Sequence, residues 1–233
     1  MKAIYKRDFL SFFKNISGYI FFTLFFLVCG YLFTLENILN SSGSLKAMYR
    51  AAGVFLTVTV PFLTSHTLID GREVNAEQRH YVSSLKIVLS KFAAVMTLPF
   101  MALSTTWIYF GILSIFARPY ISEAFTSLLG LCLLCACLIS LTMFIVSFAH
   151  RKMQAYSLIF TLILVFFVAN NLITLARSTF YEHMFHVFGL FSSYLGFLNG
   201  MFSVTSLIYM LSFTAVCLIL CCIILERKKE AGV

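Results

Sequence analysis

Long apolar runs constrain this chain more than any other feature of its sequence. A helix needs about 20 mainly apolar residues to cross the hydrocarbon core of a bilayer. We predict six such spans at about Ile16–Leu35, Ala51–Ile69, Ala93–Phe116, Ser127–Phe148, Ala155–Leu175 and Ser206–Leu225. The runs lack the alternation of β-barrel strands, so helices are the expected spanning elements.

Composition excludes a soluble globular domain. The 233 residues are 61% hydrophobic and 11% charged, whereas a soluble domain carries about 25% charged residues. We therefore predict an all-α, polytopic membrane protein that forms one domain over residues 1–233. The net charge of +8 is interpreted by its position relative to the membrane, so no nucleic-acid partner is predicted.

Lysine and arginine are distributed unequally between the two sides of the predicted membrane. Of these residues, 13 fall in the N-terminus, the second and fourth loops and the C-terminus. The opposite side carries Lys46, Arg50, Arg118 and Arg177. Because cytoplasmic segments are enriched in lysine and arginine, we predict that both termini and the second loop are cytoplasmic.

Two segments outside the spans have their own patterns. In "MKAIYKRDFLSFFKN", Ile4, Phe9, Phe12 and Phe13 can share one helical face, which predicts an N-terminal interfacial helix in contact with membrane lipid. The external segment before the last span is rich in Phe and Tyr and predicts short interfacial or re-entrant helices. Its Gly196-x-x-x-Gly200 pattern favours close backbone approach.

Motifs for catalysis or metal binding are weak. The sequence lacks GxxxxGK[ST], HExxH and GxSxG. The spacing of Glu182, His183 and His186 allows a metal, although an interfacial helix explains the same residues. The seven cysteines lie in apolar runs, where they are expected to be packing residues. We predict no catalytic residue and no metal site.

An energy source within the chain is also not apparent. The predicted spans contain almost no ionisable residue, with His66 the main exception, and such residues mark proton or ion pathways. The stretch "LIDGREVNAEQRHYVSSLKIVLSKF" lies between the second and third spans and mixes both charges. It predicts a short surface helix that docks on a soluble partner.

This stretch and its flanks carry a resemblance to a known family. "VPFLTSHTLIDGRE" and "VSSLKIVLSKFAAV" resemble the second-to-third-span region of ABC-2 type permeases, the membrane subunits of bacterial ATP-binding-cassette transporters. "YKRDFLSFFKNISGYIF" is similar to the N-terminal helix of that family, and "FIVSFAHRKMQA" to its turn between the fourth and fifth spans. The matching residues of the second-loop region are Pro61, Arg72, Glu73, Val82, Ser83, Ile87, Val88, Leu89, Lys91 and Phe92.

The resemblance implies the permease subunit of an exporter in the bacterial cytoplasmic membrane. It implies two copies of a separate ATPase subunit, which holds ATP and Mg, and a second permease chain, either identical or a paralogue. This chain itself would bind no cofactor and would not be an enzyme. The implied ATPase-coupling interface comprises Asp70, Arg72, Glu73, Glu77, Gln78 and Arg79. The implied outer gate region comprises Phe191, Tyr194, Phe197 and Phe202.

Two other functions remain as alternatives at this stage. One is a six-span intramembrane enzyme that uses Glu182, His183 and His186. The other is a membrane scaffold or sensor that has the build of a permease but transports nothing.

Overall fold

A computed structural model describes residues 2–14, 16–40, 42–75, 84–116, 120–149, 152–175 and 190–230. Within these ranges the chain is all-helical and contains no strand. We number the helices in chain order. A π-helical segment, Thr34–Leu39, directly follows the second helix and is not numbered separately. The helices are α1 (Lys2–Lys14), α2 (Ile16–Phe33), α3 (Lys46–Asn75), α4 (Ser84–Phe116), α5 (Ile121–Phe148), α6 (Lys152–Leu175), α7 (Leu190–Leu198) and α8 (Val204–Glu230).

Five of these helices are long and apolar enough to cross a membrane. The segments that meet this condition are Ile16–Leu39, Lys46–Ser65, Ser84–Ile115, Ile121–Phe148 and Val204–Arg227. They coincide with five of the six predicted spans. The remaining predicted span lies in α6, a helix of 24 residues, but its described apolar stretch, Met153–Val165, is shorter than a span. The sixth span therefore stays a prediction.

The helices on either side of the second loop are longer than the apolar runs indicated. α3 continues through Gly71 to Asn75, and α4 begins at Ser84. A glycine within a helix costs about 1 kcal/mol relative to alanine, which a long helix tolerates. The described part of the predicted surface helix, up to Asn75, is thus the end of α3 and not a separate element. Residues 76–83 lie outside the described ranges.

α5 is the central helix of the bundle. In its apolar segment 67% of the residues are buried, against 28% for α2 and 22% for α8. It packs against α3, α4, α6, α7 and α8. Leu131, Leu134 and Leu138 are among its fully buried side chains. Because α5 is apolar on every side, it can be enclosed, whereas the exposed apolar faces of α2 and α8 suit contact with lipid.

The bundle has two ends, which we name after short helices. The α7 end contains α7 and the first turns of α3, α5 and α8, whereas α1 lies at the other end, the α1 end. There α1 packs against α4 and α2. The corner between α1 and α2 is tight, since a Cβ atom at Gly18 would lie 2.5 Å from the Phe12 carbonyl oxygen. Gly18 therefore allows α1 to fold back beside the bundle.

Candidate functional site around α7

The C-terminal end of α7 is closed by a Schellman motif. The Met201 N–H donates to the Gly196 carbonyl at 3.2 Å, and the Gly200 N–H donates to the Phe197 carbonyl at 3.1 Å. Gly200 has a φ of 77°, a left-handed conformation that favours glycine. The turn leads the chain directly into α8 and places Gly200 beside Glu123, whose Cα would lie 3.8 Å from a Cβ added at Gly200.

Tyr194 fixes α7 to the first turn of α3. Its ring is fully buried, and its hydroxyl donates a 2.6 Å hydrogen bond to the Tyr49 carbonyl. The Tyr49 phenol shares a side-chain hydrogen bond with Thr106 of α4. Tyr49 thereby joins α7 to α4, because its main-chain carbonyl bonds to α7 and its phenol bonds to α4. Burial raises the pKa of the Tyr194 phenol well above its ordinary value, so this group is a hydrogen-bond donor and not a base at neutral pH.

Two glycines create the space that α7 occupies. A Cβ at Gly53 of α3 would lie 2.8 Å from Cε1 of the Tyr194 ring. A Cβ at Gly130 of α5 would lie 2.7 Å from Cβ of Phe197. Both distances are below normal van der Waals contact, so only glycine leaves room for these aromatic side chains. By contrast, Gly196, which the sequence pattern favoured, has no atom within 4 Å of an added Cβ.

The predicted gate residues are brought together in part. Tyr194 and Phe197 are both 0% exposed, and together they wedge α7 between α3 and α5. Phe202 lies after α7, is 54% exposed, and has its ring centroid 6.1 Å from that of Phe197. Phe191 belongs to α7, but its side chain lies outside the described part of the structure. The arrangement therefore contains a buried aromatic pair and an exposed aromatic ring at its edge.

A polar cluster lies next to this aromatic wedge. Ser44 Oγ donates to Glu123 Oε1 at 2.5 Å, and Lys46 Nζ lies 3.6 Å from Glu123 Oε2. Asn37 Nδ2 donates to the carbonyls of Ser42 and Ser44 at 2.7 and 3.0 Å. The cluster holds the connection between α2 and α3 against the start of α5. Sequence reasoning missed it, although an acid in the first turn of a helix is a recognisable signal.

Three of the six predicted coupling residues belong to a described helix, at the α1 end. Asp70, Arg72 and Glu73 belong to the last turns of α3, and their side chains lie outside the described part of the structure. Glu77, Gln78 and Arg79 lie entirely outside the described residues. The site prediction for this region therefore stays a prediction, with the first three residues located on a continuous helix.

Two sets of side chains have metal-ligating chemistry: Glu182, His183 and His186, and the cysteines of α5 and α8. Glu182, His183 and His186 lie outside the described residues. Among the described residues, no group of three or more His, Cys, Asp and Glu side chains could hold a metal ion. Cys137 Sγ instead donates to the Met210 carbonyl at 3.3 Å, and Cys221 Sγ donates to the Met143 carbonyl at 3.6 Å. These thiols thus pack at the interface of α5 and α8.

Comparison of the chain with protein-family models, curated proteins and solved structures finds no match. The fold alone therefore defines the class. Five long apolar helices, with α5 buried among the other four, are those of a multi-pass helical membrane protein.

Proposed function

We propose that the chain is the permease subunit of an ATP-driven ABC transporter, with six spans and an exporting direction. Its ATPase would be a separate subunit present in two copies, with ATP and Mg bound there. A second permease chain, identical or a paralogue, would complete the transporter in a bacterial cytoplasmic membrane. The observation that carries the proposal is the length of α3 and α4 at the α1 end.

Helix length supports a projecting surface for the ATPase. α3 has 30 residues, which corresponds to about 45 Å at 1.5 Å per residue, against about 30 Å for a bilayer core. Its apolar run ends at about Ile69, so the last six residues of the helix, up to Asn75, extend beyond it. This extension carries Asp70, Arg72 and Glu73. A stiff helix that bears charges outside the membrane suits the transfer of motion from a docked subunit.

The distribution of lysine and arginine supports a cytoplasmic location for this surface. The segments at the α1 end carry most of the positive charge, which favours a cytoplasmic location. ATP is available on that side. The α7 end would then face outward, and α1 would lie at the cytoplasmic membrane interface.

The packing of α7 supports an outer gate. Tyr194 and Phe197 seal the junction of α3 and α5 in the described structure. Release of α7 would open this junction, and ATP binding must favour the open state over the closed one for transport to occur. The hydrogen-bonded link from Tyr194 through Tyr49 to Thr106 connects the gate to α4, which continues to the α1 end.

A charge reversal at the proposed interface tests the function. Tagged chain would be purified from its native membrane in mild detergent, and Mg-dependent ATP hydrolysis of the purified complex would be measured. We expect Glu73→Lys to lower the recovered ATPase activity roughly tenfold or more, because like charges across an interface cost several kcal/mol. Glu36→Lys, at the α7 end, is the matched control and should leave it unchanged.

Two results would contradict the proposal. If wild-type chain is recovered without any ATP-hydrolysing subunit, it is not an ABC permease. If Glu73→Lys retains full ATPase activity and full ATP-driven transport in vesicles, the coupling surface lies elsewhere.

A further inference from the structure

The buried side of α1 is committed to the bundle. Phe12 is 2% exposed and Asp8 is 7% exposed. Arg7 Nη2 lies 3.0 Å from Asp8 Oδ1, so this cation is already engaged within the helix. α1 packs on α4 and α2, and these buried residues mark the side that faces the bundle. Asp8 and Phe12 therefore hold α1 in place, and Arg7 neutralises the buried carboxylate.

An aromatic stripe lies next to the buried side. Tyr5, Phe9 and Phe13 are spaced by four residues and are partly exposed. Their ring centroids are 6.0 Å apart for Tyr5 and Phe9, and 5.2 Å apart for Phe9 and Phe13. Phe13 also stacks on Phe22 of α2 at 6.4 Å. Aromatic rings that are only half covered by protein favour the boundary between acyl chains and headgroups.

The third side of α1 is exposed and basic. Lys6, Leu10 and Lys14 are again spaced by four residues, and all three are exposed. Lys6 and Lys14 form no ion pair with any residue in the described ranges, where the ion pairs are Arg7–Asp8 and Lys46–Glu123. This side contains no acid that would repel an anion. Two cations flank an apolar leucine beside an aromatic stripe.

We propose that the exposed side of α1 binds anionic phospholipid headgroups, with Lys6 and Lys14 on their phosphates and Tyr5, Phe9 and Phe13 at the acyl boundary. The charge and the apolar stripe are complementary to the two layers of an anionic membrane surface. Because the opposite side of α1 packs on α4, bound anionic lipid stabilises the contact between α1 and α4. This inference requires a membrane location but does not depend on transport.

The experiment uses the full chain in nanodiscs of phosphatidylcholine, alone or with a graded fraction of phosphatidylglycerol. We expect phosphatidylglycerol to raise the unfolding temperature of the wild type, and 1 M NaCl to abolish the increase by screening. Each cation near an anionic surface contributes about 1 kcal/mol, or roughly a fivefold change in affinity. The double variant Lys6→Gln/Lys14→Gln should therefore need over tenfold more phosphatidylglycerol for the same increase.

Two matched variants complete the test. Lys6→Arg/Lys14→Arg keeps the charges and should keep the response. Lys46→Gln removes a cation that is already paired with Glu123 at the α7 end and should also keep it. The proposal is wrong if phosphatidylglycerol has no effect, if its effect survives 1 M NaCl, or if the double glutamine variant responds like the wild type. No ATPase is present, so the outcome is independent of the permease proposal.

Discussion

The Tyr194 hydroxyl donates a 2.6 Å hydrogen bond to the main-chain carbonyl of Tyr49, a residue 145 positions earlier in the chain. This bond fixes a nine-residue helix, α7, to the first turn of a helix that continues to the opposite end of the bundle. A helix as short as α7 is marginal alone in water. Its stability therefore depends on this bond and on the packing of its aromatic side chains.

Tyr194→Phe keeps the ring and removes only the hydrogen bond. We expect the free energy of unfolding to fall by about 1 kcal/mol, the typical net contribution of one such bond. Thermal unfolding in detergent measures the change. Tyr31→Phe is the matched control, because Tyr31 is 62% exposed, and it should have no effect. An equal effect of both variants would mean that the bond to Tyr49 does not stabilise α7.

Gly53→Ala places a methyl group where the Tyr194 ring lies. With the added Cβ only 2.8 Å from Cε1, we expect destabilisation of about 1–3 kcal/mol, as for other overpacked cores. Gly196→Ala is the control, because no atom lies within 4 Å of its added Cβ. Better helix propensity should make this variant as stable as the wild type or more stable, by up to about 1 kcal/mol.

A double variant tests whether the cost of Gly53→Ala comes from overpacking against the Tyr194 ring or from another effect of the substitution. In the background Tyr194→Ala, the ring is absent and the methyl group has space. The cost of Gly53→Ala should therefore largely disappear in the double variant, which is a measurable coupling energy. An undiminished cost in this background would place the strain elsewhere in α3.

The long apolar segments were predictable because their signal is local. A run of apolar residues indicates membrane crossing without any knowledge of its neighbours, and five of the six predicted runs coincide with helices that are long and apolar enough to cross a membrane. The helix ends were less predictable. Ser84 begins α4 well before the apolar run at Ala93, because helical hydrogen bonds do not require apolar side chains.

The contacts at the α7 end were not predictable, because they join distant parts of the sequence. Tyr194 and Phe197 were named as a group, but their glycine partners, Gly53 and Gly130, lie on two other helices. The GxxxG pattern directed attention to Gly196 instead. Nothing local distinguishes Gly53 from a glycine such as Gly111, which has no atom within 4 Å of an added Cβ.

Glu123→Ala should destabilise the protein more than Lys46→Ala. Glu123 accepts the hydrogen bond from Ser44 and lies in the first turn of α5, where a negative charge is favourable. Lys46 is 41% exposed, and such ion pairs contribute about 0–1 kcal/mol. We expect about 1–2 kcal/mol for Glu123→Ala from the loss of a charged hydrogen bond and the dipole interaction. Equal losses in chemical denaturation would assign the stability to the ion pair alone.

The contribution of Tyr194 to stability should decrease at alkaline pH. Burial raises the pKa of its phenol well above the ordinary value of 10, so the folded protein keeps the proton after the unfolded chain has released it. The contribution is therefore complete below about pH 10 and is lost progressively as the pH rises further. Tyr194→Phe cannot ionise at this position, and all other groups are common to both proteins. The stability difference between wild type and variant should shrink or reverse between pH 9 and pH 11, and a constant difference would contradict the burial of this phenol.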